Sequence, residues 1–188
     1  MVKVDGRTTR GQKNKQQIVQ ALIELIREGH LAPTAEMVSE RAGVGLRTVF
    51  RHFKDMETLY RELTSAVDAI VAPVLATPLI GNTVHEKLIH VIERRSEMFE
   101  KLAPLQAAGM VHLHESEHLQ TRQAESVELQ RYLLKAFLPA AMVKDKPLFE
   151  ALDLVLSIET WIRLRRDQKL SVKQAKQVLQ RSIEQLLK

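Results

Sequence analysis

The part of the chain that most constrains its fold is residues 34–63, which read TAEMVSERAGVGLRTVFRHFKDMETLYREL. Thr34 follows a proline and precedes a helical pattern, so its hydroxyl is expected to cap a helix. Gly43 ends that helix at a place where the backbone needs a positive φ. A second helix follows the glycine, and Asp55 is expected to cap a third. Two short helices joined by a tight glycine turn predict a helix-turn-helix, which places its second helix in the DNA major groove.

The second helix of this motif has two different faces. Val44 and Val49 are expected to pack against the preceding helix, and the opposite face is expected to lie in solvent. Apolar, hydroxyl and basic side chains on one exposed face suit thymine methyls, base edges and phosphates. The alternative is an ordinary helical hairpin with a solvated outer face. The exposed set is Leu46, Arg47, Thr48, Phe50, Arg51 and His52.

The segment GVGLRTVFRHF, followed by DMETLYREL, resembles the DNA-binding head of the TetR family of bacterial regulators. The family pattern is G-V-(S)-x-x-T-(L/V)-(Y/F)-x-(H/Y)-F followed by a capped helix. The resemblance covers residues 18–63, about a quarter of the chain, and the remainder fits in length and helical pattern only. By resemblance, the positions that contact bases or the DNA backbone are Thr34, Gly45, Leu46, Arg47, Thr48, Phe50, Arg51 and His52.

The chain departs from the family pattern at three positions. Phe50 stands where the family usually has Tyr, which removes a hydroxyl that could bind phosphate. Met56 stands where the family usually has Lys, and the neighbouring Lys54 is a substitute candidate for DNA contact. Gly45 replaces the usual Ser or Thr cap, which weakens the recognition helix by roughly a few tenths of a kcal/mol. These differences alter the expected phosphate contacts without removing DNA binding.

The charge distribution supports the same partner. The net charge is +5, and basic residues dominate the first fifteen positions, where Asp5 is the only acid. We expect residues 1–12 to form a basic disordered tail that follows a phosphate backbone or reaches into a minor groove, with Lys13 as a contact. The alternative is a tail that only increases solubility. There is no cysteine, and no signal peptide or membrane-length apolar run is evident, so we expect a soluble cytoplasmic protein without disulfides.

The whole chain is predicted to be all-α, with a three-helix head at residues 13–60 and a larger helical body at residues 61–188. The first helix is expected over 13–29 and the fourth from 55 to about 71, where Pro73 ends it. A fifth helix starts near residue 83, and Pro104 and Gly109 enclose a short sixth. The last three helices are expected over 117–138, 148–167 and 172–187, the final one capped by Ser171.

The helix over 148–167 is apolar almost all round, so it must be covered on every side. Resemblance to the family implies that it joins the last helix in a four-helix interface of a homodimer. The alternative is a central core helix in a monomer. The predicted interface residues are Leu152, Val155, Leu156, Glu159, Ile162, Leu179, Ile183 and Leu186.

The body contains a candidate ligand site, whose existence is implied by the family resemblance. Arg95 lies on the apolar face of the fifth helix, where a charge is costly unless it is paired. It either meets an anionic effector, binds a carboxylate such as Glu159, or extends its head group to water. The other candidates, for which an ordinary core is the alternative, are Met98, Phe99, Leu102, Met110, Leu133, Phe137, Ile158 and Trp161.

Residues 114–118 spell H-E-x-x-H, the zinc-peptidase pattern, which would place two imidazoles on one helical face. We reject a catalytic site, because the following residues are polar and no third ligand is apparent. A weaker alternative is that His112, His114 and His118 bind a divalent metal. We therefore expect no enzyme activity and no cofactor.

The expected function is that of a TetR-like repressor that a small-molecule effector releases from a palindromic operator in double-stranded DNA. One alternative is a DNA-binding protein whose body recognises a protein partner instead of a small molecule. A metal-dependent hydrolase that uses the H-E-x-x-H string is the remaining alternative.

Overall fold

A computed structural model of the protein describes residues 6–53 and 56–188, and within these ranges it contains ten α-helices, one π-helical turn and no strand. The predicted all-α fold is therefore confirmed. The helices are α1 (Gly6–Arg27), α2 (Ala35–Ala42), α3 (Leu46–His52), α4 (Met56–Ala76), α5 (Val84–His112), α6 (Glu117–Phe137), α7 (Ala140–Lys144), α8 (Lys146–Val155), α9 (Ile158–Ile162) and α10 (Val172–Leu186), and the π-helical turn is Arg163–Asp167.

The chain folds into two compact units. Unit 1 comprises Met1–Ala69 and Pro104–Arg122, and unit 2 comprises Ile70–Ala103 and Gln123–Lys188. Unit 1 thus contains the end of α5 and the start of α6 in addition to the three-helix head. The sequence assigned both of these segments to the body.

The core of unit 1 is built on the predicted apolar face of α1. Ile18 is fully buried, and Val38 of α2 and Val49 of α3 are buried as well. The face repeats at helical spacing, so one stripe of α1 can cover both helices of the motif. The other large buried side chains of this core are Leu22, Ile23, Leu25, Ile26, Phe53, Leu59, Tyr60, Leu63, Leu105 and Leu119.

The core of unit 2 surrounds Trp161, whose side chain is completely buried in α9. Its indole Nε1 donates a 2.8 Å hydrogen bond to Glu100 on α5, so the one polar atom of this ring is satisfied. The other fully buried large side chains here are Leu88, Ile92, Leu134, Leu152, Leu156 and Ile183.

Two prolines that were expected to end helices lie inside them. Pro73 is in the last turn of α4, and Pro104 is in the middle of α5, so no separate short helix starts there. An internal proline costs about 3 kcal/mol, an amount that burial of two leucines can offset. Leu102 and Leu105, on either side of Pro104, are both buried. The predicted boundaries at both prolines are wrong.

The helix predicted over 148–167 is interrupted at Leu156 and Ser157. The Ser157 hydroxyl accepts from the Thr160 amide at 3.2 Å and so caps α9 as a new helix. The predicted cap at Ser171 is confirmed, and Gln174 completes a capping box with it. None of the described helices is long and apolar enough to cross a membrane.

Candidate nucleic-acid interface

The turn between α2 and α3 has the geometry expected of a helix-turn-helix. The Thr34 hydroxyl accepts a 3.3 Å hydrogen bond from the Met37 amide and caps α2, as predicted. Gly43 has φ 65° and ψ 32°, the left-handed conformation that a side chain disfavours. Its amide donates to the Glu40 carbonyl at 3.2 Å, and the Val44 amide donates to Ser39 at 3.1 Å. Both predictions for this turn are confirmed.

Helix α3 is held by side chains at its middle and directly after its end. Val49 and Phe53 are each 5% exposed, so they are embedded in the core of unit 1. Gly45 precedes the helix in an extended conformation and provides no side-chain cap, as its lack of a hydroxyl requires. The orientation of α3 therefore depends on apolar burial rather than on capping.

The outer face of α3 presents apolar and basic side chains to solvent. Phe50 is 55% exposed and Leu46 is 36% exposed. Arg47 and Arg51 are exposed beside them, and Thr48 is half-buried. Exposed apolar and cationic groups on one short helix provide both methyl contacts and charge for a DNA groove.

His52, an expected contact to the DNA backbone, lies partly inside unit 1. It is half-buried, and its Nε2 is buried without a hydrogen-bond partner among the described residues. Burial, followed by the nearby charges of Arg51 and Lys15, lowers its pKa and favours the neutral ring. Its Cε1 lies 4.0 Å from the position that a Cβ would take at Gly11 in α1. This ring therefore packs towards α1.

A bidentate ion pair joins α2 to the end of α1. Arg41 donates from Nη1 and Nη2 to the two carboxylate oxygens of Glu28, at 2.8 and 2.6 Å. Its Nη1 also lies 3.7 Å from a carboxylate oxygen of Glu24. The hydrogen bond from Arg41 lowers the pKa of Glu28. This bidentate ion pair, which was not predicted from the sequence, helps to orient α2, the first helix of the motif.

The basic N-terminal region is helical over much of its length, because α1 begins at Gly6 rather than near Lys13. A disordered tail over residues 6–12 is therefore not found, and residues 1–5 lie outside the described residues. Lys13 is exposed, whereas Lys15 forms a 2.5 Å ion pair with Glu62. The predicted contributions of Lys54 and of the Asp55 cap also lie outside the described residues.

The H-E-x-x-H string does not form one helical face, because α5 ends at His112 and α6 begins at Glu117. His112 stacks on Tyr60 with ring centroids 5.4 Å apart, and His118 Nε2 lies 2.9 Å from the Thr64 hydroxyl. His114 points outward with its side chain 76% exposed. Among the described residues, no three His, Asp or Glu side chains are grouped as metal ligands.

The nine predicted ligand residues are divided between the two units. Met110 belongs to unit 1 and is 51% exposed, whereas the other eight belong to unit 2. Phe99, Leu102 and Ile158 are buried in the unit 2 core, as is Trp161. The half-buried members are Arg95, Met98, Leu133 and Phe137.

Arg95 is stabilised by a backbone carbonyl rather than by Glu159. Its Nη1 donates a 2.7 Å hydrogen bond to the Leu156 carbonyl at the end of α8. Burial lowers its pKa to about 10, and the charge of Asp153 acts in the opposite direction. Glu159 is exposed and accepts from Gln123 at 3.5 Å. The predicted Arg95–Glu159 pair is therefore absent.

The predicted dimer interface is divided between core and surface. Four of its residues have no surface for a partner, because Leu152, Leu156, Leu179 and Ile183 are between 0% and 5% exposed inside unit 2. For Leu152 and Leu156 the reason is that a segment apolar all round does not show which side its own unit covers, whereas the apolar stripe of α10 that contains Leu179 and Ile183 is used inside unit 2. Glu159 is exposed, and Val155, Ile162 and Leu186 are half-buried. Leu154, which was not predicted, is 65% exposed on α8.

The sequence reasoning also missed a cavity inside unit 1. Its volume is about 390 Å³, and it involves none of the nine predicted ligand residues. Its signal in the sequence was weak, because its walls come from four separate segments. The lining residues include Leu22, Ile26, Leu31, Thr34, Glu57, Tyr60, Leu63, Gly109, His112 and Glu115.

These features define an all-α protein with a helix-turn-helix in its N-terminal unit. The fold is similar to that of a transcriptional regulator from Rhodococcus sp. Rha1, whose crystal structure superposes with a TM-score of 0.66. The two chains are 18% identical, and the match covers 92% of this chain and 95% of the other. No protein-family model and no curated protein matches this sequence.

Proposed function

We propose that this protein is a TetR-like transcriptional regulator that binds double-stranded DNA through α3. The observation that carries the proposal is the outer face of α3, where Phe50 and Leu46 are exposed between Arg47 and Arg51. Exposing a large aromatic ring to water has no benefit for the fold, since the helix is already held by Val49 and Phe53. A DNA groove would offer apolar contacts to the Phe50 ring and phosphates or base edges to the two arginines.

The pattern of charge on unit 1 supports the same partner. Arg47, Arg51 and Lys13 are exposed, and no ion pair with a described residue engages them. Arg41 is committed to Glu28 and Lys15 to Glu62. The exposed cations Arg47, Arg51 and Lys13 are available to DNA phosphates, whereas Arg41 and Lys15 connect elements of unit 1.

The fold similarity gives independent support for a regulatory role. The Rhodococcus protein is described as a transcriptional regulator, and its fold matches nearly the whole of both chains. At 18% identity the similarity extends to the fold alone, so DNA binding by the present chain rests on its own α3.

The proposed mechanism has three further parts. Two copies associate through unit 2, so that two α3 helices reach half-sites separated by whole helical turns. A small-molecule effector then changes DNA affinity by binding one conformation more tightly than another. The direction proposed is repression, relieved by the effector. No catalytic role is proposed for any residue.

The first experiment measures binding of the purified protein to DNA from upstream of its own gene, by fluorescence anisotropy across a salt series and by footprinting. We expect a short protected palindrome with affinity in the range of about 10⁻⁸ to 10⁻¹¹ M. A scrambled duplex of the same composition is the control. Equal affinity for both duplexes, with a steep salt dependence, would contradict sequence-specific regulation.

A further inference from the structure

The cavity in unit 1 lies within the DNA-binding unit, between α1, the turn before α2, the first turns of α4 and the end of α5. Its volume of about 390 Å³ lies in the range of small-molecule sites, roughly 300–1,000 Å³. Most of the wall is apolar, with Leu22, Ile26, Leu59 and Leu63 contributing buried side chains. Such a wall favours an apolar ligand body.

One side of the cavity is polar and acidic. Glu57 and Glu115 line it together with Tyr60 and His112, and none of the lining residues is Lys or Arg. The His112 ring stacks on Tyr60, and its Nδ1 lies 3.4 Å from Glu115. Arg61 lies 3.9 Å from Glu57 on the same helix, outside the cavity wall. The side chains that face the cavity therefore include two carboxylates and no permanent cation.

The Glu57 carboxylate is held in a fixed position. It accepts 2.6 Å and 3.0 Å hydrogen bonds from the Ser116 hydroxyl and the His118 amide. The Ser116 bond is the main reason that its pKa is lowered, so it stays ionised at neutral pH. Burial, with the charges of Glu115 and Glu57, raises the pKa of Tyr60 to about 12. The phenol is thus a neutral donor in a negative environment.

We propose that this cavity is a second ligand site, within the DNA-binding unit, for a small and largely apolar molecule that carries one ammonium group. The apolar body occupies the side of Leu22, Ile26 and Leu63. The ammonium group lies near Glu57 and Glu115, beside Tyr60.

Occupancy of this site acts on the helix-turn-helix directly. Thr34 both lines the cavity and caps α2, and Leu31 belongs to the turn that leads into it. A bound molecule in contact with this turn, α1 and α4 stabilises one placement of α2 relative to them. This part of the inference rests on the proposed DNA-binding function. The ligand alters DNA affinity only if the placement of α2 that it stabilises binds DNA with a different affinity from the other placements.

Binding is tested on the full chain with three probes that share one apolar body: 4-phenylbutylamine, 4-phenylbutanol and 4-phenylbutyrate. We expect calorimetry to show the amine binding about tenfold more tightly than the alcohol, with the carboxylate weaker still. Glu57→Gln and Glu115→Gln should each reduce the preference for amine over alcohol. Glu117→Gln is the matched control, because Glu117 is exposed in the same unit and does not line the cavity.

A second variant tests the location of the site. A Cβ added at Gly109 would meet nothing within 4 Å, so Gly109→Leu can fill the cavity without a clash at that atom. We expect it to abolish binding of the amine and to retain a cooperative thermal transition, since leucine favours helix over glycine. Undiminished amine binding by this variant, or equal binding of all three probes, would overturn the proposed site.

The effect on DNA is measured separately, with the wild-type protein and the Gly109→Leu variant. We expect saturating 4-phenylbutylamine to change operator affinity at least about fivefold in the wild type and not in the variant. Probe binding without any change in DNA affinity would overturn the regulatory part alone. Absence of specific DNA binding without the probe would instead contradict the proposed function and leave the calorimetric test of the cavity intact.

Discussion

The carboxylate of Glu57 and the hydroxyl of Ser116 are 2.6 Å apart, although 59 residues separate them in the chain. Ser116 is 1% exposed, and its oxygen also accepts from the Leu119 amide at 3.1 Å. One serine thus caps α6 and holds the start of α4. Part of the H-E-x-x-H string therefore has a structural role, because the Ser116 hydroxyl and the His118 amide both donate hydrogen bonds to the Glu57 carboxylate.

The Ser116→Ala variant should lose both interactions of this serine, at a cost of about 1–2 kcal/mol from the lost cap. The pKa of Glu57 should also rise towards that of an ordinary glutamate. The pKa of Glu57 is lower in the folded than in the unfolded protein. Ionised Glu57 therefore stabilises the fold at pH values above its unfolded-state pKa, and this contribution is lost as pH falls through its folded-state pKa. The variant should therefore lose less stability on acidification below the ordinary glutamate pKa.

Chemical denaturation between neutral and acidic pH checks this expectation, with carbon-detected NMR titration of the Glu57 carboxyl. Ser171→Ala is a matched control, because it removes the α10 cap without removing a carboxylate partner. An unchanged Glu57 titration in Ser116→Ala would contradict the assigned role.

Arg47→Ala and Thr48→Ala should abolish discrimination at one base pair of the operator, at a cost of about 1–3 kcal/mol each. The reason is that side chains at base edges carry the sequence information. Affinities for single-base operator variants test this. Arg181→Ala removes the same charge from an exposed position on α10 and should leave the preference unchanged. An identical base preference in wild type, Arg47→Ala and Thr48→Ala would rule out α3 as the reading helix.

Lys13→Ala should weaken binding to all DNA sequences alike and reduce the salt slope by about one ion. The exposed amine of Lys13 on α1 would contact phosphate rather than a base. The dependence of the binding constant on salt concentration measures this, with Lys173→Ala, at an exposed position on α10, as the control. If both variants give the wild-type slope, then α1 does not contact the DNA backbone.

Glu100→Ala should destabilise unit 2 by about 1–3 kcal/mol, because it leaves the buried Trp161 indole without its acceptor. Arg165, which donates to both oxygens of Glu100 at 2.9 Å, would lose its partner too. Urea unfolding followed by the fluorescence of Trp161, the only tryptophan in the chain, measures the effect. Trp161→Phe, whose unfolding is followed by far-ultraviolet circular dichroism because it lacks the fluorophore, separates the hydrogen bond from ring burial. Wild-type stability in Glu100→Ala would mean that another group or water satisfies the indole.

Leu154→Lys should weaken self-association, because Leu154 is 65% exposed on α8, within the segment over 148–167 that is expected to contribute to the dimer interface. Sedimentation velocity over a range of concentrations measures the monomer fraction. Tyr132→Lys is the matched control, since Tyr132 is 69% exposed on α6, which is not one of the two segments expected to form the interface. Equal monomer fractions in the two variants and the wild type would place the interface elsewhere.

Local chemistry in the sequence determined the all-α fold and the helix-turn-helix. Thr34 as cap, Gly43 as the left-handed turn residue and Ser171 as cap each depend on near neighbours in the chain, so a sequence pattern can identify them. The exposure of Phe50 and the burial of Val38 and Val49 also follow from helical spacing.

Only the tertiary structure decided which apolar surfaces are covered and which distant polar groups meet. Leu152 and Leu154 look alike in the sequence, and packing buries the first and exposes the second. Arg95 meets the Leu156 carbonyl because α8 ends beside it, a break that apolar composition conceals. The cavity of unit 1 likewise exists only where four segments meet, because a void depends on what surrounding side chains fail to fill.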